Sequence, residues 1–194
     1  MLKKNLVNAS HVNAKETEKA IKGLIERGSP LWPTLGGLTV SRKGHASPLM
    51  DKGELYGSIQ TMRTPEGSYF AGIPVDAVNS NGVSLVMIGT VHEYGHEGIT
   101  PKEGNYLALP LNEEAAELQQ QYGSARNIPG LIRVKKVLAF KDGAGIRPMF
   151  ILKTSVSIPA RPFISPSQRK VEKKAKARYE LAAKYAQKGK VFTG

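Results

Sequence analysis

The sequence predicts an α+β fold: a mainly antiparallel sheet packed by an N-terminal and a C-terminal helix, with an inserted helix and hairpin. Three observations carry that expectation. Apolar residues recur at helical spacing near both ends of the chain. Short extended runs bounded by Gly, Asn, Asp and Pro fill the middle. The order helix, strands, helix, strands, helix lacks the alternating βαβ units of a parallel sheet. With 194 residues, 40% of them hydrophobic and 23% charged, the chain suits one packed domain over 1–194, and wholesale disorder is excluded.

The first predicted helix spans 13–27. Asn13 with Glu16 forms a capping-box-like pair, Thr17, Ala20, Ile21, Leu24 and Ile25 share a face, and Gly28-Ser29-Pro30 stops it. Residues 28–48, rich in Gly and Pro around Trp32, Leu35 and Leu38, read as ordered loop. Residues 51–64 read as a helical turn leading into a strand through Tyr56, Ser58, Gln60 and Met62. Residues 68–78 give a weaker strand that Pro74 places at an edge. Asn79-Ser80-Asn81-Gly82 is a turn, and Val83 to Gly89 then has the best strand composition in the chain.

Residues 106–109 form a short extended piece. Asn112 caps a helix with Glu113 and Glu114 in its first turn, running to about Gln121 and ending at Gly123. Residues 131–140 and 145–155 predict two strands joined by a Lys141-Asp142-Gly143 hairpin turn. Ser165-Pro166-Ser167-Gln168 reads as a capping box with proline at the first helical position. It opens a helix over 165–188 whose stripe is Val171, Ala175, Tyr179, Ala182 and Ala186.

Charge is concentrated in this last helix. Lys and Arg total 28 against 16 acids, a formal net charge of +12. From Ser165 onward Arg169, Lys170, Lys173, Lys174, Lys176, Arg178, Lys184, Lys188 and Lys190 face only Glu172 and Glu180. Such a helix can meet water, an acidic protein surface or phosphate. The chain has no cysteine, which excludes disulfides, thiolate metal sites and a cysteine nucleophile. No apolar run reaches 18 residues and the N-terminus carries no apolar signal core, which predicts a soluble, intracellular protein with no membrane partner.

One motif has chemical potential. His92-Glu93-Tyr94-Gly95-His96 satisfies H-E-x-x-H, in which two histidines one helical turn apart bind zinc and the glutamate acts as general base. Gly95, Gly98 and Pro101 all oppose the long helix this requires, and the third ligand would have to be a carboxylate such as Glu113, Glu114 or Glu117. The competing reading is a turn whose histidines hydrogen-bond locally. No G-x-S-x-G elbow, P-loop or dinucleotide fingerprint is present, and Glu113, Glu114 and Glu117 are explained as the acidic start of a helix. These readings give no catalytic, cofactor-binding or metal-binding residues and no cofactor. Zinc peptidase chemistry through His92, Glu93 and His96 is one alternative, and a basic nucleic-acid-binding module is the other.

Three blocks, in order, resemble a known family. The first is Leu31-Trp32-Pro33-Thr34-Leu35 with Thr39, Arg42-Lys43-Gly44 and Pro48 to Ile59 (PLMDKGELYGSI). The second is Ile88-Gly89-Thr90-Val91-His92-Glu93-Tyr94-Gly95. The third is Ile158-Pro159-Ala160-Arg161-Pro162-Phe163-Ile164. Together they are similar to the W-x-x-L, P-L-x-D-x-G-x-L-x-x-S-I, H-E-F-G and I-P-A-R-P-F-L segments of phage virion-morphogenesis and tail-completion proteins, the neck proteins of long-tailed phages. The similarity spans about residues 31–187. It implies an α+β fold assembled as a ring, a hexamer, at the head–tail connection. The implied partners are the head connector, the tail tube or tail terminator and the packaged DNA; the implied location is the virion, after synthesis in the host bacterial cytoplasm.

The resemblance also implies that the H-E-[FY]-G segment is a structural turn after a strand, so that His96 completes the zinc pattern by accident. Residues 99–150 are an insertion relative to shorter members. Arg161, fixed between Pro159 and Pro162, is expected to form an ion pair, an intersubunit contact or a buried salt bridge holding the last helix. Trp32 and Phe163 are the other candidate interface or structural anchors.

Overall fold

The structure is a computed structural model and describes residues 1–143 and 145–194. In chain order the elements are α1 (Leu2–Arg27), α2 (Gly37–Lys43), α3 (Glu54–Ser58), β1 (Gln60–Arg63), β2 (Tyr69–Gly72), α4 (Leu85–Tyr94), β3 (His96–Ile99) and β4 (Leu107–Pro110). Then come α5 (Glu113–Tyr122), a 3₁₀ turn (Ala125–Asn127), β5 (Leu131–Val134), β6 (Val137–Asp142), β7 (Gly145–Lys153), β8 (Val156–Ile158) and α6 (Ile164–Gln187). The fold is α+β with antiparallel sheets, and the N- and C-terminal helices pack together. Three sheets replace the single one expected: β1-β2, β3-β8 and a four-stranded sheet in the order β4-β7-β6-β5.

The chain forms two compact units. The first comprises Met1–Thr34, Ser47–Gly95 and Pro159–Gly194, and the second Leu35–Ala46 with His96–Ile158. In the first unit, α1 packs on α6 along one side and on the β1-β2 hairpin along another. Its core joins Ile21 and Ile25 of α1 to Trp32, Leu49, Leu55, Ile59, Leu85 and Phe163. Glu18 ties α1 to β1 by accepting from both the N–H and the hydroxyl of Thr61, each at 2.9 Å.

In the second unit, α5 lies on the four-stranded sheet over Ala115, Ala125, Ile128, Met149 and Phe150. The caps of α5 are as the sequence predicts. Asn112 accepts from the Ala115 N–H at 2.8 Å, and Gly123 ends the helix in the left-handed region. Pro110 sits in β4, an edge strand, where its missing N–H costs no ladder bond.

Several local expectations are corrected. Helix α1 begins at Leu2, so Asn13 is an interior residue and no cap. Asn5 and Asn13 interrupt the apolar period, and their side chains are satisfied by the other end of the chain. Asn5 donates to the carbonyls of Ala182 (3.2 Å) and Lys190 (2.9 Å) and accepts from the Phe192 N–H (3.0 Å). Asn13 donates to the Ala175 carbonyl at 3.3 Å. The loop read over 28–48 contains α2, and α3 runs through Ser58, leaving the strand only from Gln60.

The stretch from Val83 to Gly89 is no strand: Ser84 accepts from the Met87 N–H and starts α4. Its Val and Ile content favours a strand, yet Leu85, Gly89 and Glu93 share one buried helical face, and burial overrides propensity. A Cβ on Gly89 would come within 2.7 Å of Ile73 Cδ1, which shows how closely α4 seats on this core. The strand read over 131–140 is a hairpin, turned at Lys135 (φ 55°) with Val134 opposite Val137. In the next hairpin Lys141 and Asp142 are strand residues, with Asp142 opposite Gly145; of the connection, Ala144 lies outside the described residues.

Asn5 is fully buried and closes three backbone groups at once. Asn5→Ala is therefore expected to lower stability by about 2–3 kcal/mol, measured by urea denaturation, because the groups it satisfies remain buried without it.

Candidate functional site

The site is built where the three sequence blocks meet in the first unit. Helix α4 ends at Tyr94 because Gly95 leaves the helical region at φ 76°, ψ 174°. That places Glu93 one residue inside the helix end, on the buried face. Helix α6 begins at Ile164 after Phe163, which offers no side-chain cap, and its first turn contains no acidic residue. The N–H groups of such a turn are orphans that require an acceptor.

Glu93 supplies it from 70 residues away. Its Oε2 accepts from the N–H of Phe163 at 2.7 Å and of Ile164 at 2.8 Å. Its Oε1 accepts from the N–H of Ser165 at 2.9 Å and from the Ser165 hydroxyl at 2.6 Å. A carboxylate there also meets the positive end of the helix dipole. Only 5% of Glu93 is exposed. Burial alone would raise its pKa, but the hydrogen bonds from Ser165, Ile164 and Phe163 outweigh it and hold the carboxyl below its ordinary range. The predicted capping box at Ser165 is thus corrected. Ser165 lies inside the helix as a donor, and Ser167 bonds back to the Phe163 carbonyl at 2.7 Å.

The first and third blocks lock beside this cap. Trp32 is buried, and its indole Nε1–H donates to the Pro162 carbonyl at 3.0 Å. Arg161 is 7% exposed; its Nε and Nη2 both donate to the Pro33 carbonyl at 3.2 Å, and its backbone N–H donates to the His92 carbonyl at 2.6 Å. Burial pulls the guanidinium below its ordinary pKa. Among the described residues no carboxylate lies within ion-pair distance of Arg161, so the expected ion pair or buried salt bridge is corrected to a hydrogen bond with a backbone carbonyl. Phe163 is fully buried in the same core.

The H-E-x-x-H spacing does not lie on one helix. His92 belongs to α4, the helix stops at Tyr94, and His96 opens β3. The segment is therefore a helix end, where a turn after a strand was expected. Both oxygens of Glu93 are occupied by the first turn of α6. Among the described residues no cluster of three His, Asp or Glu side chains is placed to hold a metal ion.

Of the basic helix, Arg169, Lys170, Lys173, Lys174 and Lys176 are exposed, whereas Arg178 turns inward, donating to Asn13 Oδ1 at 2.8 Å and pairing with Glu16. Tyr179, placed in the apolar stripe, is 40% exposed, while Val171 and Ala182 are buried. Among the described residues no helix is long and apolar enough to cross a membrane. Comparison with known protein families, curated proteins and solved structures returns no match for this chain.

Because Glu93 titrates lower folded than unfolded, the stability it provides is present above the ordinary carboxylate range and is lost as pH falls through its folded value. Glu93→Gln should therefore cost about 2–3 kcal/mol at pH 7. The difference from wild type should shrink as pH drops below the ordinary range, read from denaturation midpoints across pH. A gap independent of pH would assign the loss to packing alone.

Proposed function

We propose that this chain is a non-enzymatic structural protein of a phage neck or tail, completing the tail or joining head to tail, and that it assembles as a hexameric ring between connector and tail. The single observation that carries the reading is the convergence of the three blocks. Trp32 and Pro33, His92 and Glu93, and Arg161, Pro162 and Phe163 are far apart in sequence and bonded to one another in the fold. Residues that resemble a family in three separate places would be expected to share a structural task, and here that task is fixing the start of α6. The assignment of virion location and of connector and tail partners rests on that resemblance.

The surface is compatible with assembly. Met87, Thr90 and Tyr94 lie along the outer face of α4, all exposed, and Tyr94 is 76% accessible. Val78, bridged to Ser84 at the start of the same helix, is exposed as well. Met87 and Tyr94, two turns apart on one helix face, with Val78 exposed as well, suit a heterologous, ring-closing contact.

Light scattering on the purified protein, at rising concentration, tests this reading. A mass close to six times the 21.0 kDa chain is expected. Met87→Glu combined with Tyr94→Ser should lower that mass while leaving the melting temperature within a few degrees, since exposed substitutions cost little in the monomer. A mass of one chain at every concentration would contradict the ring.

A further inference from the structure

The first unit carries a groove of about 830 Å³ between α1 and α6 that the fold itself does not use. Its lining includes Ala20 and Gly23 of α1 and Val171 of α6. The Arg27 guanidinium lies across Gly23, 3.0 Å from where a Cβ would stand. The walls carry Lys19 and Arg27 from α1, and Lys170 and Lys174 from α6.

Glu16 and Glu18 are held in ion pairs within the fold, while Glu26 keeps its negative charge at the groove. Glu16 pairs with Arg178, and Glu26 accepts from the Tyr56 hydroxyl at 2.5 Å. Glu18 serves Thr61, Lys22 and Lys15. Burial would raise the Glu18 carboxyl, but bonds from Lys22 and Thr61 and the charges of Lys22 and Lys15 bring it down to about 2, so it stays ionised and engaged. Among the described residues no carboxylate is within ion-pair distance of Lys19, Arg27, Lys170 or Lys174. All four are exposed.

We propose that this groove binds the phosphate backbone of duplex DNA, with Lys19, Arg27, Lys170 and Lys174 as the contacting cations. Eight residues separate Lys19 from Arg27, a rise of about 12 Å along α1. One DNA strand carries a phosphate per roughly 3.4 Å of axis, so Lys19 and Arg27 on α1, and Lys170 and Lys174 about 6 Å apart along α6, can each meet a separate phosphate, four contacts in all. An acidic protein segment would meet the same cations, and the polyglutamate arm of the test below separates it from DNA. The lining comes from one protomer, and DNA binding and ring formation are read by different measurements.

The test is fluorescence anisotropy of a labelled duplex of arbitrary sequence, titrated with the full chain between 50 and 200 mM salt. Four phosphate contacts predict a slope of log K against log salt near −3.6, a loss of roughly 150-fold across that range. Lys170→Gln with Lys174→Gln should bring the slope to about −1.8, a loss of roughly 12-fold. Lys141→Gln with Lys153→Gln, the same charge change at exposed positions on β6 and β7, should leave the slope as in wild type. The proposal is overturned by an unchanged slope in the groove variant, by an equal change in the control, by the absence of binding at 50 mM salt, or by polyglutamate displacing DNA at equal charge concentration.

Discussion

One buried carboxylate sets the geometry of the first unit. Helix α6 has no capping side chain of its own at Phe163 and no acid in its first turn, so the start of a 24-residue helix is defined by Glu93. Four donors converge on its two oxygens, the arrangement that makes burying a charge tolerable. Everything adjacent is arranged to keep those oxygens in place. Gly95 ends α4 two residues after Glu93, Phe163 is buried in the same core, and Trp32 and Arg161 bond the chain on either side. Along α6 the same logic recurs, with Asn13 and Asn5 of α1 bonding its carbonyls further toward the C-terminus. The two terminal helices are thus joined by polar side chains set in an apolar seam, which fixes their register as well as their contact.

This explains why a catalytic-looking motif has a structural use. A glutamate between two histidines invites a general-base reading, but a general base needs a free oxygen facing a reactant. The oxygens of Glu93 face backbone N–H groups instead. The chain spends its most suggestive acid on holding a helix end, while Lys19, Arg27, Lys170 and Lys174 stand exposed on α1 and α6.

The fold class was legible because it depends on patterns short enough to read locally. The α5 caps at Asn112 and Gly123, the Asn79–Gly82 turn and the apolar face of Ile21 and Ile25 are each set within a few residues. What was not legible depended on distant partners. Val83 to Gly89 has strand composition and is helical from Leu85, where Gly89 seats against Leu55, Ile73 and Phe163. The first turns of α1 were hidden by asparagines whose partners lie more than 160 residues away. Arg161 and Trp32 could be picked out as anchors, but a carbonyl partner carries no sequence signal, so Arg161 pointed to an ion pair where the structure has a bond to the Pro33 carbonyl. The capping role of Glu93 had one indirect signal, a helix start with no acid of its own after Phe163.

The claim that a remote carboxylate defines the start of α6 is tested most directly by amide hydrogen exchange at Phe163, Ile164 and Ser165. First-turn amides ordinarily lack an intrahelical acceptor and exchange readily. Protection of all three in the wild type, approaching that of the core around Ile21 and Ile25 and lost in Glu93→Ala, is the predicted result. Rapid exchange at these three positions in the wild type would contradict the account.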